Sequence, residues 1–400
     1  MKVLIFILIA IFVIYAYLTV DFKLGRKNFL SKIKSNVFPF RDSDIKIFTH
    51  GTDLFNDMFE EIKNAQKHIH ILFYICKDDQ FSQDFFAILK NKSEEGVEVR
   101  LLVDWAGSMK IKKKQIKELK SAGIHFFFSN IPRAPFFFFT SQARNHRKIT
   151  VIDGKIGYLG GYNVGKEYID KDTKLNPWRD YHLKLTGEGV QDLQVQFLLD
   201  WQEASKTNLL QNEIYFPPLS KGSVRHKVIS TEGFLLEKTF STLIRGAKKS
   251  ITIGSPYFIP SKTIFKDLLN ALDRGVTLTI IVPYTADHLL VKEASYRYLR
   301  PILAKGGNVY QFKNGFYHAK VLLIDDEVCD LGTANFDNRS FFLNHEINCY
   351  IYDPVKIEET KRILEKDLKD STKLSSGDLE SMGIMSGVKE WLARRIAYFL

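Results

Sequence analysis

Eighteen residues from Val3 to Val20, VLIFILIAIFVIYAYLTV, carry no charge, roughly the length a helix needs to cross the apolar core of a bilayer. Beyond them the apolar positions fall into short β-rich runs alternating with helical stretches, and the alternation occurs twice. IKNAQKHIHI, from Ile62, parallels IRGAKKSITI, from Ile244, and EGVEVRLLVD, from Glu95, parallels RGVTLTIIVP, from Arg274. Each is a helix end leading into a β-rich run. Two duplicated α/β units are implied, with PPLSKGS (Pro217 to Ser223) marking the junction. The reading assigns residues 1–20 to a transmembrane anchor, 21–43 to a basic linker, 44–212 to a first unit and 213–400 to a second.

The apolar segment lacks the short core and small-residue cleavage site of a secretory signal, so an uncleaved anchor is expected. Lys23, Arg26, Lys27, Lys32 and Lys34 follow it, which places the bulk of the chain on the cytoplasmic side of the cell membrane as a single-pass protein. A formal charge of +11 fits an anionic partner, either nucleic acid or an acidic membrane surface. Three cysteines, Cys76, Cys329 and Cys349, without CxxC spacing, argue against a disulfide framework or a zinc site.

The duplication carries chemistry. NHRKITVIDG and YHAKVLLIDD open two copies of one pattern, H-x-K-x4-D-x6-G-[GT]-x-N. The first copy is His146, Lys148, Asp153, Gly160, Gly161 and Asn163; the second is His318, Lys320, Asp325, Gly332, Thr333 and Asn335. Strand alternation would aim His146 and Lys148 at one face. One H-x-K means little, but two matched copies inside a wider repeat make a catalytic set of His146, Lys148, Asp153, His318, Lys320 and Asp325. Joined across an interface they suit one phosphodiester. Lys148, Lys320, Asn163 and Asn335 would hold the phosphate and its growing charge. One imidazole attacks phosphorus, and the other serves the leaving and entering alcohols. No metal or other cofactor is required, because the lysines supply the electrostatics. Asp180 and Glu346, each at the head of an alternating run, are the candidates for orienting the histidines. Asp153 and Asp325 are given a structural part, closing the turn after each strand.

Two segments stay open. PRAPFFFF, ending at Phe139, reads as a loop that either plugs the gap between the halves or forms a lipid-facing lip. GVKEWLARRIAYFL, the C-terminal stretch, puts Val388, Trp391, Leu392, Ile396 and Phe399 on one helical stripe, for a membrane interface or for the protein's own core.

RNHRKITVIDGKIGYLGGYNVGKEY, PWRDYHLKLTG, VQFLLDWQEA, SPYFIPS and GFYHAKVLLIDDEVCDLGTANFDNRSFFLNHEIN together resemble the phospholipase D superfamily and, within it, the bacterial cardiolipin synthases. The resemblance covers nearly the whole chain after the anchor. It implies two phospholipase D-like α/β/α sandwich domains with the active site at their interface. It also implies transfer between two phosphatidylglycerol molecules to give cardiolipin and glycerol through a phosphatidyl-histidine, with His146 as nucleophile and His318 as acid and base. Many relatives have two N-terminal spans where this chain has one. Lipid hydrolysis is the runner-up. A nucleic-acid phosphodiesterase is disfavoured by the anchor, so no nucleic-acid partner is expected, and the intact motifs disfavour a non-catalytic scaffold.

Overall fold

The computed structural model describes residues 2–33, 36–287, 291–375, 377–378 and 390; the C-terminal stripe lies outside them. Helix α1 (Lys2–Leu30) opens the chain. The first half then contains β1 (Val37–Phe48), α2 (Gly51–Asn64), β2 (His68–Phe73), α3 (Gln80–Glu94), β3 (Glu98–Asp104), α4 (Lys113–Ser121) and β4 (His125–Ser129). It closes with α5 (Phe137–Gln142), β5 (Ile149–Ile152), β6 (Ile156–Gly160), β7 (Trp178–Arg179), β8 (His182–Gly187) and α6 (Gly189–Ser205).

The second half repeats the plan. It begins with β9 (Val224–Glu232), α7 (Leu236–Gly246), β10 (Ser250–Gly254), β11 (Phe258–Ile259), α8 (Lys262–Asp273) and β12 (Thr277–Pro283). It continues through α9 (Val291–Ala304), β13 (Asn308–Phe312), β14 (Phe316–Tyr317), β15 (Val321–Ile324) and β16 (Val328–Gly332). The last elements are β17 (Phe336–Asp337), α10 (Asn338–Phe342), β18 (His345–Ile351), α11 (Pro354–Lys369) and β19 (Ser371–Lys373).

Among the described residues fifteen strands form one sheet whose centre is the antiparallel pair β1–β9. Read outward, one side runs β1-β8-β6-β5-β2-β3-β4 and the other β9-β18-β16-β15-β10-β12-β13 with β19 added at its edge, so the duplication is visible strand by strand. Period-2 alternation assigns the faces. In β2, Ile69, Ile71 and Phe73 pack with Leu54, Phe55 and Met58 of α2, while Leu72 joins the core under α6.

That second core is shared by the halves. Val190, Leu193 and Phe197 of α6 cluster with Val321, Leu323, Ile347, Ile357 and Leu364 from the other repeat. Each buried side chain of this size stabilises by about 1.5–3 kcal/mol, so the halves are fixed against each other rather than loosely tethered.

The span expected to end at Val20 continues as helix to Leu30, and β1 begins at Val37, so much of the expected linker is regular structure. The reason is packing. Asp21 and Gly25 are buried, whereas the side chains ahead of them are mostly exposed. The phenylalanine run is irregular only through Phe136; the rest is α5. Phe139 packs with Phe22 and Phe29 of α1 and with Leu343, so its main partner is the anchor helix, and Phe137 stays 58% exposed.

Candidate active site between the halves

Both H-x-K segments sit just ahead of a buried strand rather than on it, because each is stitched to the opposite repeat. His146 N–H donates to the His345 carbonyl at 3.0 Å, and His345 N–H donates to the Arg144 carbonyl at 2.8 Å. In the other copy β14 pairs in parallel with β7, and His318 N–H donates to the Arg179 carbonyl at 2.7 Å. Arg147, fully buried, strengthens the seam by donating to the Glu346 and Thr231 carbonyls and to Asp200.

The same exchange holds for the side chains. His146 Nδ1 lies 2.9 and 3.1 Å from the two oxygens of Glu346, which belongs to the second half. His318 Nδ1 lies 2.5 Å from Asp180 Oδ2, which belongs to the first. Each ring is thus oriented by the other repeat's carboxylate. Each carboxylate favours a proton on Nδ1, with Lys320 Nζ also 2.6 Å from His318 Nδ1, and among the described residues no hydrogen bond reaches either Nε2, the atom left for chemistry.

Both rings line one cavity of about 590 Å³, with Tyr74, Trp178, Tyr257, Asn163 and Asn335. Asn163 accepts from Ile75 N–H at 3.1 Å and donates to Tyr168 at 3.3 Å, whereas Asn335 Oδ1 is buried without a partner among the described residues. The lysines are more withdrawn than expected. Lys148 donates to the His146 carbonyl at 2.7 Å and Lys320 to Asp180 at 3.2 Å and to the His318 carbonyl, and both are buried.

Burial dominates the titration behaviour. It holds His146 below its ordinary 6.5, with Glu346 opposing and Lys148 adding to the shift. His318 is pushed down to about 4 by burial and then by the Lys320 ammonium. Lys148 falls to about 7, mainly through desolvation. Burial raises Asp180, yet Lys320 and then His318 outweigh it and keep that carboxyl below its usual range. Glu346 is likewise held down by His146 against desolvation. With both lysines protonated, the charges on Lys148, Lys320, Glu346 and Asp180 sum to zero.

The motif aspartates do not face this cavity. Asp153 accepts from the backbone N–H groups of Gln66, Lys67 and His68 at 2.7–3.0 Å, and Asp325 accepts from those of Lys248, Lys249 and Ser250 at 2.7–2.8 Å. They pin the entry to β2 and β10 rather than closing only their own turns. Asp200, Glu232 and His345 bring ligand-type atoms within 4.8 Å, but Arg147 spans both carboxylates.

Sequence reasoning left the partner exchange undecided and missed the hydroxyls. Thr333 and Ser340 donate to Glu346 at 2.6 and 2.8 Å. The signal was the one motif position that differs between copies. At Gly161, the counterpart of Thr333, a Cβ would lie 2.0 Å from Asp180 Oδ1. The shorter aspartate therefore requires glycine, and the longer glutamate leaves room for a hydroxyl donor.

Residues 58–201 and 240–368 match the sequence profile described as cardiolipin synthase, PLD-like domain. The chain is 42% identical over all 400 residues to the minor cardiolipin synthase ClsB of Bacillus subtilis, covering 100% of each. It is 39% identical over 368 residues to cardiolipin synthase 2 of Staphylococcus epidermidis, covering 90% of this chain and 75% of that one. Among solved structures it superposes on the phosphatidylserine synthase of Haemophilus influenzae with a TM-score of 0.70 at 18% identity, over 90% of this chain and 95% of the other, a likeness of fold.

Proposed function

The chain belongs to the cardiolipin synthase family with phospholipase D-like domains, and on that premise we propose that it is a membrane-bound phosphatidyl transferase making cardiolipin and glycerol from two phosphatidylglycerol molecules. The observation that carries the reading is that one histidine from each repeat, each held by the opposite repeat's carboxylate, lines a single cavity.

The geometry supports the following steps. The phosphate of a first phosphatidylglycerol enters between the rings, with Asn163 and Asn335 facing its oxygens and the withdrawn ammonium groups of Lys148 and Lys320 acting from behind the cavity wall. The incoming negative charge favours proton uptake by His318, whose resting ring is neutral. His146 Nε2 attacks phosphorus, the bond to the glycerol oxygen breaks, and His318 gives its proton to the leaving glycerol. Glu346 stabilises the positive charge that forms on His146. His318 then takes the proton from the headgroup hydroxyl of the second lipid as that oxygen attacks phosphorus and the P–N bond breaks. Asp180 steadies the imidazolium in both directions. Asp153 and Asp325 hold the scaffold.

α1 is long and apolar enough to cross a membrane, and the cations after residue 20 support a cytoplasmic position for the repeats. A tethered site meets lipid at high local concentration, and the +11 charge favours anionic leaflets. The two units correspond to the two lobes of this enzyme, the first starting with β1 at Val37 rather than at residue 44. Purified protein incubated with labelled phosphatidylglycerol vesicles should yield cardiolipin and glycerol in equal amounts. Phosphatidic acid with glycerol would leave only hydrolysis, and cleavage of DNA with no action on vesicles would reverse the substrate class.

A further inference from the structure

The root of the anchor helix reaches the catalytic centre. Asp21, Gly25 and Phe29 recur every four residues and so share one helix face. Asp21 accepts the Phe139 N–H at 2.9 Å, and Phe22 and Phe29 meet the Phe139 ring at 5.7 and 5.6 Å. A Cβ at Gly25 would lie 2.6 Å from Phe139 Cβ, so only glycine allows this approach.

Phe29 also stacks on His345, with centroids 5.8 Å apart and planes 18° from parallel. The buried His345 ring has no hydrogen bond on either nitrogen among the described residues, so packing sets its place. Its backbone is bonded on both sides to the segment carrying His146, and the next residue is Glu346. α5, the other surface under α1, leads within four residues to His146; on the way, Arg144 donates to the Asn130 carbonyl at 2.8 Å and to Asp104 at 3.4 Å. A cavity of about 260 Å³ lined by Phe29, Phe139, Asn145 and His345 leaves this junction room to shift.

We propose that Gly25 and Phe29 are positioning residues for the reaction: the seat of α1 on α5 and His345 sets the alignment of His146 with Glu346, so the anchor governs turnover as well as location. The inference rests on the proposed phosphatidyl transfer. Its readout is the rate of glycerol release, which transfer and hydrolysis share, while the identity of the lipid product tests the transfer reading separately.

Full-length Phe29→Ala, reconstituted in phosphatidylglycerol vesicles, should lose about tenfold in kcat, because small misplacements of reacting groups are costly. KM should stay within about twofold, since the cavity wall is intact. Phe29→Tyr should restore most of the rate, and Gly25→Ala should lose at least as much as Phe29→Ala. Ile9→Ala, in the exposed stretch of α1, serves as the control and should match wild type. The acid limb of the pH–rate profile should move down in Phe29→Ala, because a slackened Glu346 contact no longer supports the His146 proton. Unchanged kcat in both variants with normal vesicle binding would overturn the proposal. So would a parallel fall in kcat and thermal midpoint that Phe29→Tyr does not restore, since that is loss of folding rather than of alignment.

Discussion

Replacing Glu346 with glutamine isolates the electrostatic part of orientation. The substitution keeps the shape and removes one charge from a buried site where His146 lies 2.9 and 3.1 Å away. An imidazolium and a carboxylate with centres about 4 Å apart attract by about 4 kcal/mol at an effective dielectric constant near 20. A glutamine oxygen retains a neutral hydrogen bond of about 1 kcal/mol. The difference, about 3 kcal/mol, raises the barrier for forming the cationic phosphohistidine by roughly a hundredfold. Single-turnover glycerol release from labelled phosphatidylglycerol vesicles at saturating lipid reads that step. A Glu346→Gln enzyme within about threefold of wild type would refute the claim that this carboxylate stabilises charge on His146.

The scaffold aspartates should separate from the chemistry: Asp325→Ala strips an acceptor from three backbone N–H groups and should cost about 3 kcal/mol in stability. Thermal unfolding measures this loss, and kcat at a permissive temperature should remain within about fivefold. The pH dependence of kcat/KM should be asymmetric about neutrality. Below pH 7 the rate should hold past the ordinary histidine value of 6.5, because His146 is held lower and stays neutral. Above pH 7 it should decline as Lys148 loses the charge that attracts phosphate; a flat profile to pH 9 would show that this ammonium is not so perturbed.

Much of this was legible because duplication prints the same signal twice. The parallel segments around Ile62 and Ile244 and the paired H-x-K motifs led to two α/β units and one joint site, and the sheet order repeats accordingly. Glu346 and Asp180 could be picked as orienting carboxylates, but not matched to their rings. Pairing across repeats depends on contacts such as β7 with β14, and local sequence does not encode those. The phenylalanine run misled for a related reason. Taken alone, PRAPFFFF looks like a loop, and only the distant glycine at position 25 shows that a helix closes over it. The withdrawn lysines were invisible for another reason, since side-chain reach and burial are properties of the assembled cavity.

The central claim is that two repeats meet around one phosphorus atom and that His146 bonds to it. Rapid acid-free quenching of the enzyme with phosphatidylglycerol, followed by peptide mass spectrometry, tests it most directly. A phosphatidyl adduct is expected on the peptide containing His146 and absent in His146→Ala. An adduct on His318 instead, or turnover with no adduct on either ring, would contradict it.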